Sequence, residues 1–113
     1  VDIEVEPSDM GFEEMAESVG SRITAVTAFD SYSEEYTLFL LDPDSRASGR
    51  GIREHMREHW DDDRSEVEIT FVPAEDESTL LSYLLTWFER HRPDIVTGWN
   101  YVGFDHEYLL QRI

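Results

Sequence analysis

Apolar and polar residues alternate from Val1 to Glu6, with Val1, Ile3 and Val5 against Asp2, Glu4 and Glu6, and this period of two predicts a strand with one acidic face. Pro7 to Gly20 has no such period and reads as a loop with Phe12 and Met15 as anchors. Ile23 to Phe29 and Tyr36 to Leu41 are β-branched and aromatic runs separated by the turn-forming Asp30-Ser31-Tyr32-Ser33-Glu34, which predicts an antiparallel hairpin. Asp42 to Glu66 is polar and Gly-punctuated, a surface excursion with one short helix candidate from Ile52 to Trp60. Val67 to Val72 is a further strand candidate, ended by Pro73.

The clearest helix signal follows. Leu80, Leu81, Leu84, Leu85 and Phe88 recur at helical spacing as one apolar stripe, with Ser78 as N-cap and Pro93 as the stop. Asp94 to Gly98, short and β-branched between Pro and Gly, predicts a buried strand, and Phe104 to Ile113 predicts a helix. These elements describe an α/β domain: a mixed sheet with antiparallel hairpin strands plus a parallel strand, flanked by helices. A chain of 113 residues accommodates one such core. Regular structure runs into both ends of the sequence, so the expectation is a partial domain, truncated at both ends, with 7–20 and 42–66 as loops or surface insertions.

Charge changes this picture in one respect. There are 26 acidic against 9 basic residues, a net charge of -17, and all the basic ones are Arg. An acidic, lysine-free surface spread along the chain fits a protein adapted to very high salt, where the Debye length falls to about 3 Å and self-repulsion is screened. The alternative is an acidic partner-binding or nucleic-acid-mimicking surface. With no Cys, disulfides and thiolate metal sites are excluded. No apolar run has membrane-spanning length, and the expectation is a cytoplasmic protein without a membrane partner.

Asp2 and Glu4 leave the same face of a strand, and two carboxylates held that way repel unless a cation such as Mg²⁺ or Mn²⁺ sits between them. The pair alone is common in so acidic a chain, and Asp105-His106-Glu107 repeats it. More specific is GWNYVGFDHEYLL, in which a strand is followed by Asn100, then Phe104-Asp105, then Tyr108-Leu109 one helical turn on. Asp2-Ile3-Glu4 resembles the first exonuclease motif of family B DNA polymerases, and Asn100-x-x-x-Phe104-Asp105 resembles the second. Glu77, Leu80-Leu81, Trp87-Phe88, Pro93 to Gly98 and Arg112 extend the likeness, which is dense from Val67 onward and absent in 7–20 and 42–66.

The resemblance implies a ribonuclease H-like 3′→5′ proofreading exonuclease domain that hydrolyses the terminal phosphodiester of a single-stranded 3′ end of DNA with two Mg²⁺ or Mn²⁺ ions. It makes Asp2 the bridging ligand, Glu4 a ligand of the first ion that orients water, and Asp105 a ligand of the second. Asn100, Phe104 and Tyr108 become substrate contacts. Partners so implied are the rest of the polymerase chain and, through it, a sliding clamp; with the charge, the likeness points to a halophilic archaeon. The family's third motif, Tyr-x-x-x-Asp, is expected after Ile113, because Tyr101 to Asp105 lies inside the second motif. The 113 residues alone are then expected to bind metal weakly and to be inactive.

Other signals have simpler readings. His55-Met56-Arg57-Glu58-His59 matches an inverted zinc-peptidase pattern, yet its short helix with little apolar face reads as a solvated surface element. Arg46, Arg50, Arg53, Arg57 and Arg64 are interleaved with acids, which favours pairing along the surface over a phosphate patch. His91 and Arg92 complement a helix C-terminus. Two rivals stand beside the nuclease: a scaffold of the same fold without catalysis, and an acidic protein-interaction module.

Overall fold

The alternation at the start of the chain forms the strand it predicts. In the computed structural model, which describes residues 1–9, 11, 14–15, 19–59 and 68–113, β1 (Asp2–Val5) buries Ile3 and exposes Asp2 and Glu4. It pairs antiparallel with β2 (Ile23–Asp30), and the register shifts between Glu4 and Val5, so that Glu4 faces Ala25 while Val5 faces Ile23. Thr24 is the extra residue of this bulge, and its hydroxyl donates to the Glu4 carbonyl at 3.2 Å. The bulge resets the pleat, which is why Ile23 and Val26, three apart, are both fully buried.

β2 turns through Ser31 to Glu34, with Glu34 left-handed at φ 57°, into antiparallel β3 (Glu35–Leu41). This is the expected hairpin. β3 then pairs in parallel with β4 (Ile69–Ala74), giving the order β1-β2-β3-β4. The parallel strand of the mixed sheet is therefore β4 and not Asp94 to Gly98. Pro73 lies inside β4 rather than ending it, which an edge strand permits because one row of N–H groups has no ladder partner.

Three helices have described bounds, α1 (Gly49–His59), α2 (Glu77–His91) and α3 (Asp105–Arg112), and Glu14 and Met15, expected in a loop, are helical as well. α2 packs across β2, β3 and β4. Its buried face is Leu80, Leu81, Leu84 and Trp87, whereas Leu85, expected in the stripe, is 42% exposed. Each fully buried leucine contributes about 1.5–3 kcal/mol over an exposed one. Leu84→Ala would cost about 2–5 kcal/mol through the cavity it leaves.

The helix is capped two residues before the expected position. Asp76 is extended at φ -144° and its carboxylate accepts the Thr79 N–H at 2.7 Å, which leaves Ser78 inside the first turn. Arg92, left-handed at φ 45°, closes the last turn on the Phe88 carbonyl just before Pro93. α1 buries only Met56 and packs on β4. The expected loop anchor Phe12 and the helix end at Trp60 fall outside the described residues, while Met15 packs against the core.

Candidate active site

β1 is an edge strand, so one row of its backbone donors has no sheet partner. Two different acceptors take the first two of them. The Val1 amino group donates to the Thr97 carbonyl at 2.8 Å, and the Ile3 N–H donates to Asp105 Oδ1 at 2.9 Å. This explains why Asp94 to Gly98 runs beside β1 without becoming a strand: a side-chain carboxylate occupies the next rung. Ile95, expected in the sheet, is 83% exposed.

The turn that delivers Asp105 is built from backbone. Asn100 is left-handed at φ 53°, a conformation Asn tolerates better than most residues, and its carbonyl accepts the N–H groups of Gly103 at 3.1 Å and Phe104 at 3.0 Å. A Cβ on Gly103 would sit 2.7 Å from Asn100 Oδ1, so the glycine makes room for that side chain. α3 then begins without a side-chain cap, and Asp105 and Glu107 in its first turn complement the helix dipole.

Asp2, Glu4 and Asp105, brought together over a separation of more than 100 residues, line one open cleft of ≈ 740 Å³ with Asn100, Phe104, Trp99 and Met15. Asp105 is 3% exposed. Burial pushes its carboxyl above the usual carboxylate range and the charge of Asp2 adds to the rise, against the Ile3 N–H, which favours the ionised form. Tyr101 is raised by burial and by Asp105. Sequence reasoning assigned no role to Trp99, whose indole is 93% exposed at the cleft rim; its place inside the GWN run was the available signal.

Tyr108 does not line the cleft. It is 1% exposed, and its hydroxyl donates to the Ser21 carbonyl at 2.6 Å and accepts the Ser21 N–H at 3.1 Å. Farther along α3, Arg112 pairs with Glu77 through two nitrogens, one of them Nε at 2.8 Å, and also donates to the Val19 carbonyl at 3.3 Å. Glu77 in turn accepts the Ile23 N–H at 2.9 Å. α3 is thus held at its N-terminus to β1 and at its C-terminus to the start of α2 and the entry to β2.

The donors fit a hard divalent cation in kind. All three are carboxylates, two stand on one strand face, and the third carries the buried charge that a cation would relieve. As the side chains stand, no three such groups among the described residues are gathered tightly enough to grip a single ion. Elsewhere, Arg46 pairs with Asp44 at 3.6 Å and Arg50 with Glu54 at 3.2 Å, the surface pairing expected of the arginines, while Arg64 lies outside the described residues.

A mixed sheet whose edge strand bears Asp-x-Glu, closed by a helix that presents a further Asp to the same strand, is the architecture of a ribonuclease H-like exonuclease fragment. The chain belongs to the exonuclease domains of the family B DNA polymerases, whose family model (DNA polymerase family B, exonuclease domain) matches residues 2–113. It is 31% identical to the DNA-directed DNA polymerase of Escherichia phage RB69, over 99% of this chain and 13% of that protein. It is 26% identical to the DNA-directed DNA polymerase of Enterobacteria phage T4, over 80% of this chain and 11% of that protein. The chain therefore spans about an eighth of these relatives. Among the described residues no helix is long and apolar enough to cross a membrane.

Proposed function

We propose that this domain is the 3′→5′ proofreading exonuclease of a DNA-directed DNA polymerase and acts on a frayed single-stranded 3′ end. The observation that carries the reading is the bond from the Ile3 N–H to Asp105, which fastens the second-motif carboxylate to the strand bearing Asp2 and Glu4. Asp2, Glu4 and Asp105 would hold Mg²⁺ or Mn²⁺, with a further carboxylate from a Tyr-x-x-x-Asp motif in the rest of the polymerase chain. When bound, two such ions stabilise charge on the attacking and leaving oxygens of the scissile phosphate. Glu4, exposed on the strand face, also orients the attacking water.

Asn100 hydrogen-bonds the terminal nucleotide, and Phe104, nearly buried and packed on Tyr108, meets it at the cleft wall. Tyr108 acts as the anchor of Ser21 and not as a nucleotide contact. The setting is the cytoplasm of a halophilic archaeon, where a sliding clamp engages the full polymerase; the net charge of -17 supports the salt adaptation, and a melting temperature that rises steadily with KCl is the matching measurement.

The test uses the complete polymerase and an end-labelled single-stranded DNA at high salt with Mn²⁺. Asp2→Ala and Asp105→Ala are expected to lower nuclease activity by about a thousandfold, equivalent to several kcal/mol of transition-state stabilisation, and to leave polymerisation intact. Nuclease activity that survives either change removes the catalytic assignment and leaves the scaffold reading.

A further inference from the structure

The helix that carries the histidines, α1, packs on β4 at the other edge of the sheet, and β4 lies about three strand spacings, roughly 14 Å, from β1. His55 and His59 are one helical turn apart and both exposed, with rings stacked at a centroid separation of 4.0 Å and an interplanar angle of 25°. His59 Nδ1 lies 2.8 Å from the His55 carbonyl. Since a carbonyl only accepts, Nδ1 of His59 carries a proton, so in the neutral ring the lone pair is on Nε2. A ring nitrogen held by a backbone carbonyl while the other is free is how ligating histidines are oriented.

From this geometry we propose that His55 and His59 form a two-nitrogen chelate for a borderline divalent transition ion, of the class of Zn²⁺, Ni²⁺ or Cu²⁺. Two imidazole nitrogens sharing a tetrahedral zinc at 2.0–2.1 Å lie about 3.4 Å apart, a spacing that histidines one helical turn apart reach once their rings swing out of the stack and both in-plane lone pairs converge on the ion. Water completes the shell, since no third His, Asp or Glu among the described residues joins the pair. The cationic neighbours do not all oppose the ion: Arg50 is paired with Glu54, which leaves Arg53 and Arg57 as the opposing charges on the helix. The all-carboxylate cleft prefers hard ions and this pair prefers softer ones, so the two edges of the sheet sort metals by ligand chemistry. An ion spanning one helical turn also stiffens α1, since binding only the folded helix stabilises it.

The inference is independent of the nuclease reading, and its test needs no activity. Cu²⁺ is titrated into the protein in excess Mg²⁺ and followed by electron paramagnetic resonance, with calorimetry for Zn²⁺ and Ni²⁺. Expected is one site whose spectrum carries splitting from two imidazole nitrogens. His55→Gln and His59→Gln should each weaken it by about tenfold or more, since even the outer-shell partners of ligands are worth that much. Asp2→Ala and Asp105→Asn should leave it unchanged. His91, near Asp30 at 3.9 Å and Glu35 at 3.8 Å, is the rival nitrogen donor. Affinity that survives both α1 variants, or that is lost in His91→Ala or in the cleft variants, overturns the proposal.

Discussion

The two edges of the sheet are held by bonds of different reach. At the β1 edge the polar contacts span the chain: Ile3 to Asp105, Ser21 to Tyr108, Ile23 to Glu77 and Arg112 to Glu77. At the β4 edge, in the stretch that leads into and forms α1, the side-chain bonds close within five residues, as in Asp42 accepting from Arg46 and Ala47, Gly51 donating to Ser48, and Arg50 pairing with Glu54. Both stretches are strongly polar in sequence. The long-range bonds include buried or part-buried groups, whereas most of the local ones are exposed and exchange with water at little cost. Chemistry that needs fixed geometry belongs where bonds are long-range and dry, and the carboxylate cleft is there.

Breaking the first edge should give the largest effects. In Asp105→Asn the Ile3 bond has an acceptor still, yet nuclease activity should fall by about a thousandfold while the metal-free protein becomes more heat-stable. The sign follows from the raised carboxyl: an acid whose folded pKa lies above its ordinary value costs stability as pH rises through that interval, and the amide does not titrate. Melting curves from acid to neutral pH check it, since the gain of the variant should vanish below the ordinary carboxylate range.

Next is Arg112→Ala, which strands Glu77, a residue only 13% exposed at its side chain, and should cost about 2 kcal/mol. Burial alone would raise Glu77, but Arg112 and the Ile23 N–H outweigh it and hold the carboxyl below its ordinary range. A lowered acid contributes stability above its unfolded pKa and loses it as pH falls through the folded one, so the deficit of Arg112→Ala should shrink in acid. Urea midpoints at neutral and acid pH measure this. Tyr108→Phe keeps the ring and removes both Ser21 bonds, a loss of about 1–2 kcal/mol, with nuclease activity per folded molecule unchanged. A specific loss of nuclease activity would restore Tyr108 as a substrate contact. Smallest is Glu54→Gln on α1, expected within about 0.5 kcal/mol of the parent; a larger cost would erase the contrast between the edges.

Much of this was legible because it follows from local periodicity. Ile3 between two acids, the apolar runs around Ser31 to Glu34, and the leucines of α2 each declare a face without any partner. What escaped depended on partners. Both Asp76 and Ser78 are capping residues, and only the backbone angle at Asp76 selects between them. Asp94 to Gly98 has strand composition, but a strand needs a ladder, and Asp105 takes the rung the ladder would use. Tyr108 sits in a substrate-like motif, yet its hydroxyl meets Ser21, 87 residues away.

By itself the sequence determined the alternating strand that carries Asp2 and Glu4 on one face, the hairpin and the amphipathic α2, since side-chain periods of 2 and 3.6 are properties of a single element. Only the tertiary structure decided that Asp105 would cap an unpaired donor of β1 and share a cleft with that pair. Such a contact depends on which strand lies at the edge and where its free N–H groups point, and no local pattern encodes either.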